Sequence, residues 1–91
     1  QLAEIVDAVG DKLDVICEGG IHRGTHMLKA LSLGAKACSG GRLYLYALAA
    51  GGQEGVERAI EKYKAELVRD MKLMGCNKIS DLNRNNLRFR R

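Results

Sequence analysis

Apolar residues along this 91-residue chain switch between helical and strand-like spacing, and glycine marks most of the switches. Leu2, Ile5, Val6 and Val9 recur at helical spacing, which predicts an amphipathic helix over residues 1–9 that Gly10 stops. Leu13 to Cys17 is a nearly continuous apolar run with β-branched Val15 and Ile16, the pattern of a buried parallel strand. Glu18 to Arg23 follows as a glycine turn. Thr25 is a candidate N-cap for a helix carrying Met27, Leu28, Leu31 and Leu33, and Gly34 takes its C′ position.

The same order then repeats. Ala35 to Ser39 is a strand by context, since Ala35, Lys36 and Ala37 have little strand propensity of their own. Gly40 and Gly41 make a second turn, and Leu43 to Ala50 is a short apolar helix. After Gly51 and Gly52, a long amphipathic helix is predicted over residues 53–73. Val56, Ile60, Tyr63, Leu67 and Met71 form its apolar stripe, and Gly75 ends it. The charged runs Glu57-Arg58-Glu61-Lys62 and Lys64-Glu66-Arg69-Asp70 are expected to form its solvated face, with pairs such as Glu54–Arg58. Residues 79–91 are predicted as a polar, Arg-rich tail, with Ser80 a candidate cap for one further turn.

Two strand–turn–helix units make this an α/β chain, and its length allows one small domain at most. With 46% hydrophobic residues it is not disordered by composition, and with few aromatics its core should be aliphatic. The net charge of +4 is fully accounted for by Arg84, Arg88, Arg90 and Arg91. The remaining body is neutral, which argues against a broad nucleic-acid face. Three cysteines without Cys-x-x-Cys spacing point to free thiols, Cys17 and Cys38 buried in the strands, and to a reducing cytoplasm. No run approaches the about 18 apolar residues of a membrane span, and no metal-ligand spacing is present.

The chemistry concentrates in the two turns, Glu18-Gly19-Gly20-Ile21-His22-Arg23-Gly24 and Ser39-Gly40-Gly41-Arg42. A glycine lets backbone N–H groups approach an anion, and a helix N-terminus adds the positive end of its dipole. Tyr44 and Tyr46 lie two apart on a short helix, so at most one can face a ligand there. Taken with Leu28-Lys29-Ala30-Leu31-Ser32-Leu33-Gly34-Ala35 and with Gly41-Arg42-Leu43-Tyr44-Leu45-Tyr46-Ala47-Leu48-Ala49-Ala50-Gly51-Gly52, the first turn gives a specific ordered pattern. From Leu13 to Cys76 the chain resembles the C-terminal part of the FMN-dependent 2-hydroxy-acid oxidases and dehydrogenases, the glycolate oxidase and L-lactate dehydrogenase group.

The resemblance implies two βα units plus an extra phosphate-site helix from a (β/α)₈ TIM barrel, an incomplete barrel because a whole one needs about 250 residues. Residues 1–78 would be the C-terminal part of that FMN domain, followed by the tail 79–91. A chain starting at Gln1 inside a helical pattern then reads as a fragment, a processed piece or a truncated product. Gly19, Gly20, Gly41 and Arg42 would hold the FMN phosphate, Arg42 as a planar cationic fork. Glu18 stands where the family usually has Asp against the ribityl chain, and His22 where it has Arg against the phosphate. Arg23 is either a solvated charge or a rescuing phosphate contact. His26 replaces a frequent Asp and Leu43 the usual Pro, with His26 expected at the solvated surface.

No catalytic residue is assigned: the family's proton-accepting His, substrate-binding Arg and flavin-facing Lys lie in segments absent here, including a His-Gly-x-Arg motif. The implied function is the FMN phosphate-binding segment of an enzyme that oxidises a 2-hydroxy acid to a 2-oxo acid, inactive alone. Its expected partners are FMN and either the rest of a barrel or another copy of itself. A non-catalytic packing or assembly module is the alternative that Glu18, His22 and Leu43 favour. A piece of another FMN barrel, such as isopentenyl diphosphate isomerase, matches the Tyr44 to Gly52 segment less well.

Overall fold

A computed structural model describes residues 1–90 of the chain; the tail's last arginine, Arg91, lies outside the described residues. The chain opens with helix α1 (Leu2–Val9) and continues with strand β1 (Ile16–Glu18), helix α2 (Gly24–Ser32), strand β2 (Ala37–Ser39) and helix α3 (Arg42–Leu73). Single 3₁₀ turns follow at Ile79–Asp81 and Arg84–Asn86. β1 and β2 pair in parallel, with Ile16 opposite Ala37, Cys17 opposite Cys38 and Glu18 opposite Ser39.

The first strand starts later than its apolar run. Leu13 is still tied to the end of α1, its N–H donating to the Val9 carbonyl at 2.8 Å, and it is 62% exposed. Glu18 in turn belongs to the ladder rather than to the turn. Alternation then sets the two faces of the sheet. Cys17 and Cys38 are half-buried toward α2, where the Cys38 thiol meets the Met27 carbonyl at 3.9 Å. Burial pushes the Cys38 thiol pKa up, with Cys17 adding to the shift. The opposite face, with Ile16, Glu18, Ala37 and Ser39, is exposed.

Thr25 does not cap α2. Arg23 occupies the N-cap position in extended conformation without a side-chain cap bond, and Thr25 Oγ1 instead donates to Asp70 of α3 at 2.6 Å. At the other end Gly34 has φ of 110°, the left-handed region expected just past a helix. The short apolar helix and the long amphipathic one are joined as α3, broken at Gly52, whose φ of 60° and ψ of −145° are open to glycine alone.

The core lies between α2, the C-terminal half of α3 and the segment beyond it. Leu28, Met71, Cys76 and Leu82 are its buried members, with Leu31, Leu67 and Met74 packed against them. Leu82 ties down what the sequence presents as a polar tail, and Arg84 pairs with Asp7 of α1 at 2.8 Å while donating to the Ala3 carbonyl. The turn at Ile79 begins from Lys78 rather than Ser80, and the Asp81 carboxylate accepts from the Asn77 and Lys78 amides.

Candidate functional site

Both strands end at the same side of the two-stranded sheet, and the turn after each runs into a helix start. Between them is a cavity of about 400 Å³ lined by Glu18–His22 from the first turn and Ser39–Leu43 from the second. Gly19 and Gly20 have φ of 96° and 70°, and the space where a side chain would begin is empty at both. They are glycine because of backbone conformation rather than crowding. In the second turn Gly40 is glycine because a Cβ there would stand 2.9 Å from the Tyr44 ring.

Arg42 is the first residue of α3, exposed at the cavity, and it is in none of the ion pairs among the described residues. The first N–H groups of α3 have no acceptor within the helix. A guanidinium, a helix N-terminus and a left-handed glycine turn therefore converge on one space, which suits a phosphate group. Glu18 borders the same space, its Oε1 lying 3.7 Å from where a Gly41 side chain would begin. A carboxylate repels a phosphate but accepts from hydroxyls, so it suits a polyol next to the anion.

His22 lines the cavity, while its backbone N–H donates to His26 Nδ1 at 3.2 Å. His26 is therefore no bystander on the surface. Its ring closes the first turn onto α2. Leu43 is buried under the second turn, and of the two tyrosines Tyr44 lies against Gly40 while Tyr46 is 64% exposed.

Arg23 is not among the residues lining the cavity. Its Nε donates to both carboxylate oxygens of Glu66 at 3.1 Å, and the Gly24 N–H donates to Glu66 Oε2 at 2.9 Å. The Arg23 side chain stays more than half exposed, as a solvated charge would, while it pairs with Glu66, and it does not reach the cavity lining. Glu66 is 5% exposed, so the solvated helix face predicted to contain it is corrected here. Arg23's hydrogen bond holds the Glu66 pKa below the ordinary value, helped by the Gly24 amide and opposed by burial. Glu66 in turn raises the Arg23 pKa. The Thr25 hydroxyl is the chief cause of the lowered Asp70 pKa, with Arg69 contributing.

Sequence reasoning missed Glu66 and Asp70. The usable signal was their place on the helix: Glu66 and Asp70 continue, at spacings of three and four, a row that starts from Ala59 and passes through Tyr63 of the apolar stripe. The predicted Glu54–Arg58 pair is not among the ion pairs of the described residues.

Comparison with known proteins adds an independent line. The family described as FMN-dependent dehydrogenase matches residues 1–89. A peroxisomal (S)-2-hydroxyacid oxidase of Arabidopsis thaliana is 45% identical over 96% of this chain, and an L-lactate oxidase of Nostoc sp. is 47% identical over 89%. Among solved structures, (S)-mandelate dehydrogenase from Pseudomonas putida superposes with a TM-score of 0.90 at 38% identity over 96% of this chain. A flavocytochrome b2 variant gives 0.86 at 44% identity over 92%. The chain spans 24% and 22% of the two oxidases and 24% and 23% of the two structures, and its two parallel strands match part of their TIM-barrel domain.

Proposed function

The chain belongs to the FMN-dependent dehydrogenase family, and from that premise we propose that it supplies the seat for the phosphate end of FMN in a 2-hydroxy-acid oxidoreductase. The observation that carries the reading is the cavity between the two turns, lined both by Arg42 at the start of α3 and by Gly19 and Gly20. Bound in such an enzyme, FMN would supply the two-electron acceptor for the oxidation of a 2-hydroxy acid to a 2-oxo acid. This chain's residues bind and orient rather than react. Arg42 and the helix N-terminus neutralise the phosphate, the glycine turn lets backbone N–H groups reach it, and Glu18 takes a ribityl hydroxyl.

α2 and α3 would be among the last helices of the barrel, with the Arg42–Ala50 part of α3 as its phosphate-site helix. The exposed inner face at Ile16 and the exposed Leu45, Tyr46 and Leu48 support an arrangement in which further barrel elements, or a second copy, cover this surface.

The test is FMN titration of the chain and of Arg42→Ala by calorimetry. Loss of a charge-assisted, bidentate contact should weaken FMN binding by about 2 kcal/mol. Unchanged affinity removes Arg42 from the site. The non-catalytic packing module remains the second reading, favoured by His22 at the cavity, where the family resemblance implies Arg. Absence of FMN binding by the unmodified chain within a completed barrel would select it.

A further inference from the structure

Resting on the phosphate-site reading, we propose that Glu66 is a positioning residue for the bound phosphate: by holding Arg23 and the Gly24 amide against α3, it fixes the Gly19–His22 turn opposite Arg42. α3 carries Arg42 at its first turn and Glu66 near its far end, on either side of the break at Gly52. The segment before the Gly52 break thus supplies a wall of the cavity directly, and the segment after it anchors the opposite wall through Glu66. The anchor is tight. A side chain at Gly24 would stand 2.5 Å from Glu66 Cβ, 2.7 Å from the Leu67 nitrogen and 2.8 Å from the Tyr63 carbonyl oxygen.

The carboxylate has a second effect. The N-terminus of α2, with Arg23 beside it, would by itself attract an anion. Glu66 already fills that position with a covalently attached negative charge, accepting from Arg23 Nε and the Gly24 N–H. An incoming phosphate therefore meets one cationic seat, at Arg42, and finds the facing turn already in place. Restricting the turn before binding lowers the ordering cost that the ligand must offset.

An internal control is built into the same helix pair. Thr25 and Asp70, one turn further along α3, join the same two helices at 2.6 Å, and neither is among the residues lining the cavity. If Glu66 merely held the fold, removing either contact would act alike.

The experiment titrates inorganic phosphate and FMN into the full chain and its variants, with thermal unfolding followed in parallel. Glu66→Gln should weaken binding about tenfold and Arg23→Gln about fivefold, with the double variant no weaker than Glu66→Gln alone, since both act through one contact. Asp70→Asn should lower the unfolding temperature while leaving affinity within about twofold. Unchanged affinity in both Glu66→Gln and Arg23→Gln, with Arg42→Ala still weakening binding, overturns the positioning role and leaves the phosphate reading standing. A loss in Asp70→Asn equal to that in Glu66→Gln overturns it too, because general packing would then explain both. No effect of Arg42→Ala overturns the phosphate reading itself. Should Glu66→Gln fail to fold, Arg23→Gln carries the test, since it leaves Glu66 bound to the Gly24 amide.

Discussion

Arg23 and Arg42 each follow a strand and a glycine turn, and each stands where a helix begins, yet the fold uses them differently. Arg23 is turned onto α3 and bound to the buried Glu66 carboxylate. Arg42 points into an open space and pairs with no carboxylate among the described residues. The difference comes from what lies across from each helix start. α2 begins against another helix, so its N-terminal charge must be met from within the protein. α3 begins beside a cavity, so its charge is left to whatever enters. The same local motif therefore yields a packing joint in one unit and a binding site in the other.

That contrast predicts a division of effects, with the largest at the joint. Gly24→Ala forces a methyl group against the backbone of α3 at Tyr63 and Leu67, which cannot yield as a flexible side chain would. It should destabilise the fold by about 3 kcal/mol, as an overpacked core contact does. Chemical denaturation measures this, and a loss below about 1 kcal/mol would mean that α2 moves freely on α3. Arg42→Ala is the converse case. Its effect of about 2 kcal/mol should fall on FMN binding, while stability changes by no more than about 0.5 kcal/mol. A large stability loss would place Arg42 in a packing role like that of Arg23.

The same contrast explains how much could be read from the chain in advance. The two turns and the helices after them were legible because glycine at Gly19, Gly20, Gly34 and Gly52 answers a local backbone demand, a positive φ. Gly24 was not legible as the joint, because its demand comes from residues about forty positions away in α3. Glu66 was read as a solvated charge for the same reason: its partners, Arg23 and the Gly24 amide, are not on its own helix. Leu82 likewise lies in a polar sequence and is buried only because the chain returns across Met71 and Leu28. The grouping of Glu18 to His22 with Arg42 was legible only with the help of the family resemblance, since two parallel strands must first bring the turns together.

Acidification probes the joint without altering any residue. The pKa values of Glu66 and Asp70 are lowered in the folded chain, chiefly by the Arg23 and Thr25 hydrogen bonds respectively. Their contribution is therefore complete above the ordinary carboxylate range and is lost as pH falls through the depressed folded values. Thermal unfolding should move to lower temperature as pH falls below about 4, and Glu66→Gln should show a shallower decline because one of the two titrating groups is gone. An identical pH profile in that variant would show that Glu66 adds nothing to the joint's stability, whatever it does for the turn.

The smallest effect is expected at the other end of α2, where the comparison turns on how buried polar groups are served. Glu66 is buried with donors on both of its oxygens, whereas Ser32, 2% exposed in the last turn of α2, has a hydroxyl with no partner among the described residues. A buried hydroxyl without a hydrogen bond destabilises the fold, and alanine is the better helix former. Ser32→Ala should therefore stabilise the chain by about 1 kcal/mol, read as a shift in the denaturation midpoint, and leave phosphate and FMN affinity alone. Were the variant destabilised instead, the Ser32 hydroxyl would have a partner in solution, and both ends of α2 would be satisfied in the way that Glu66 satisfies the first.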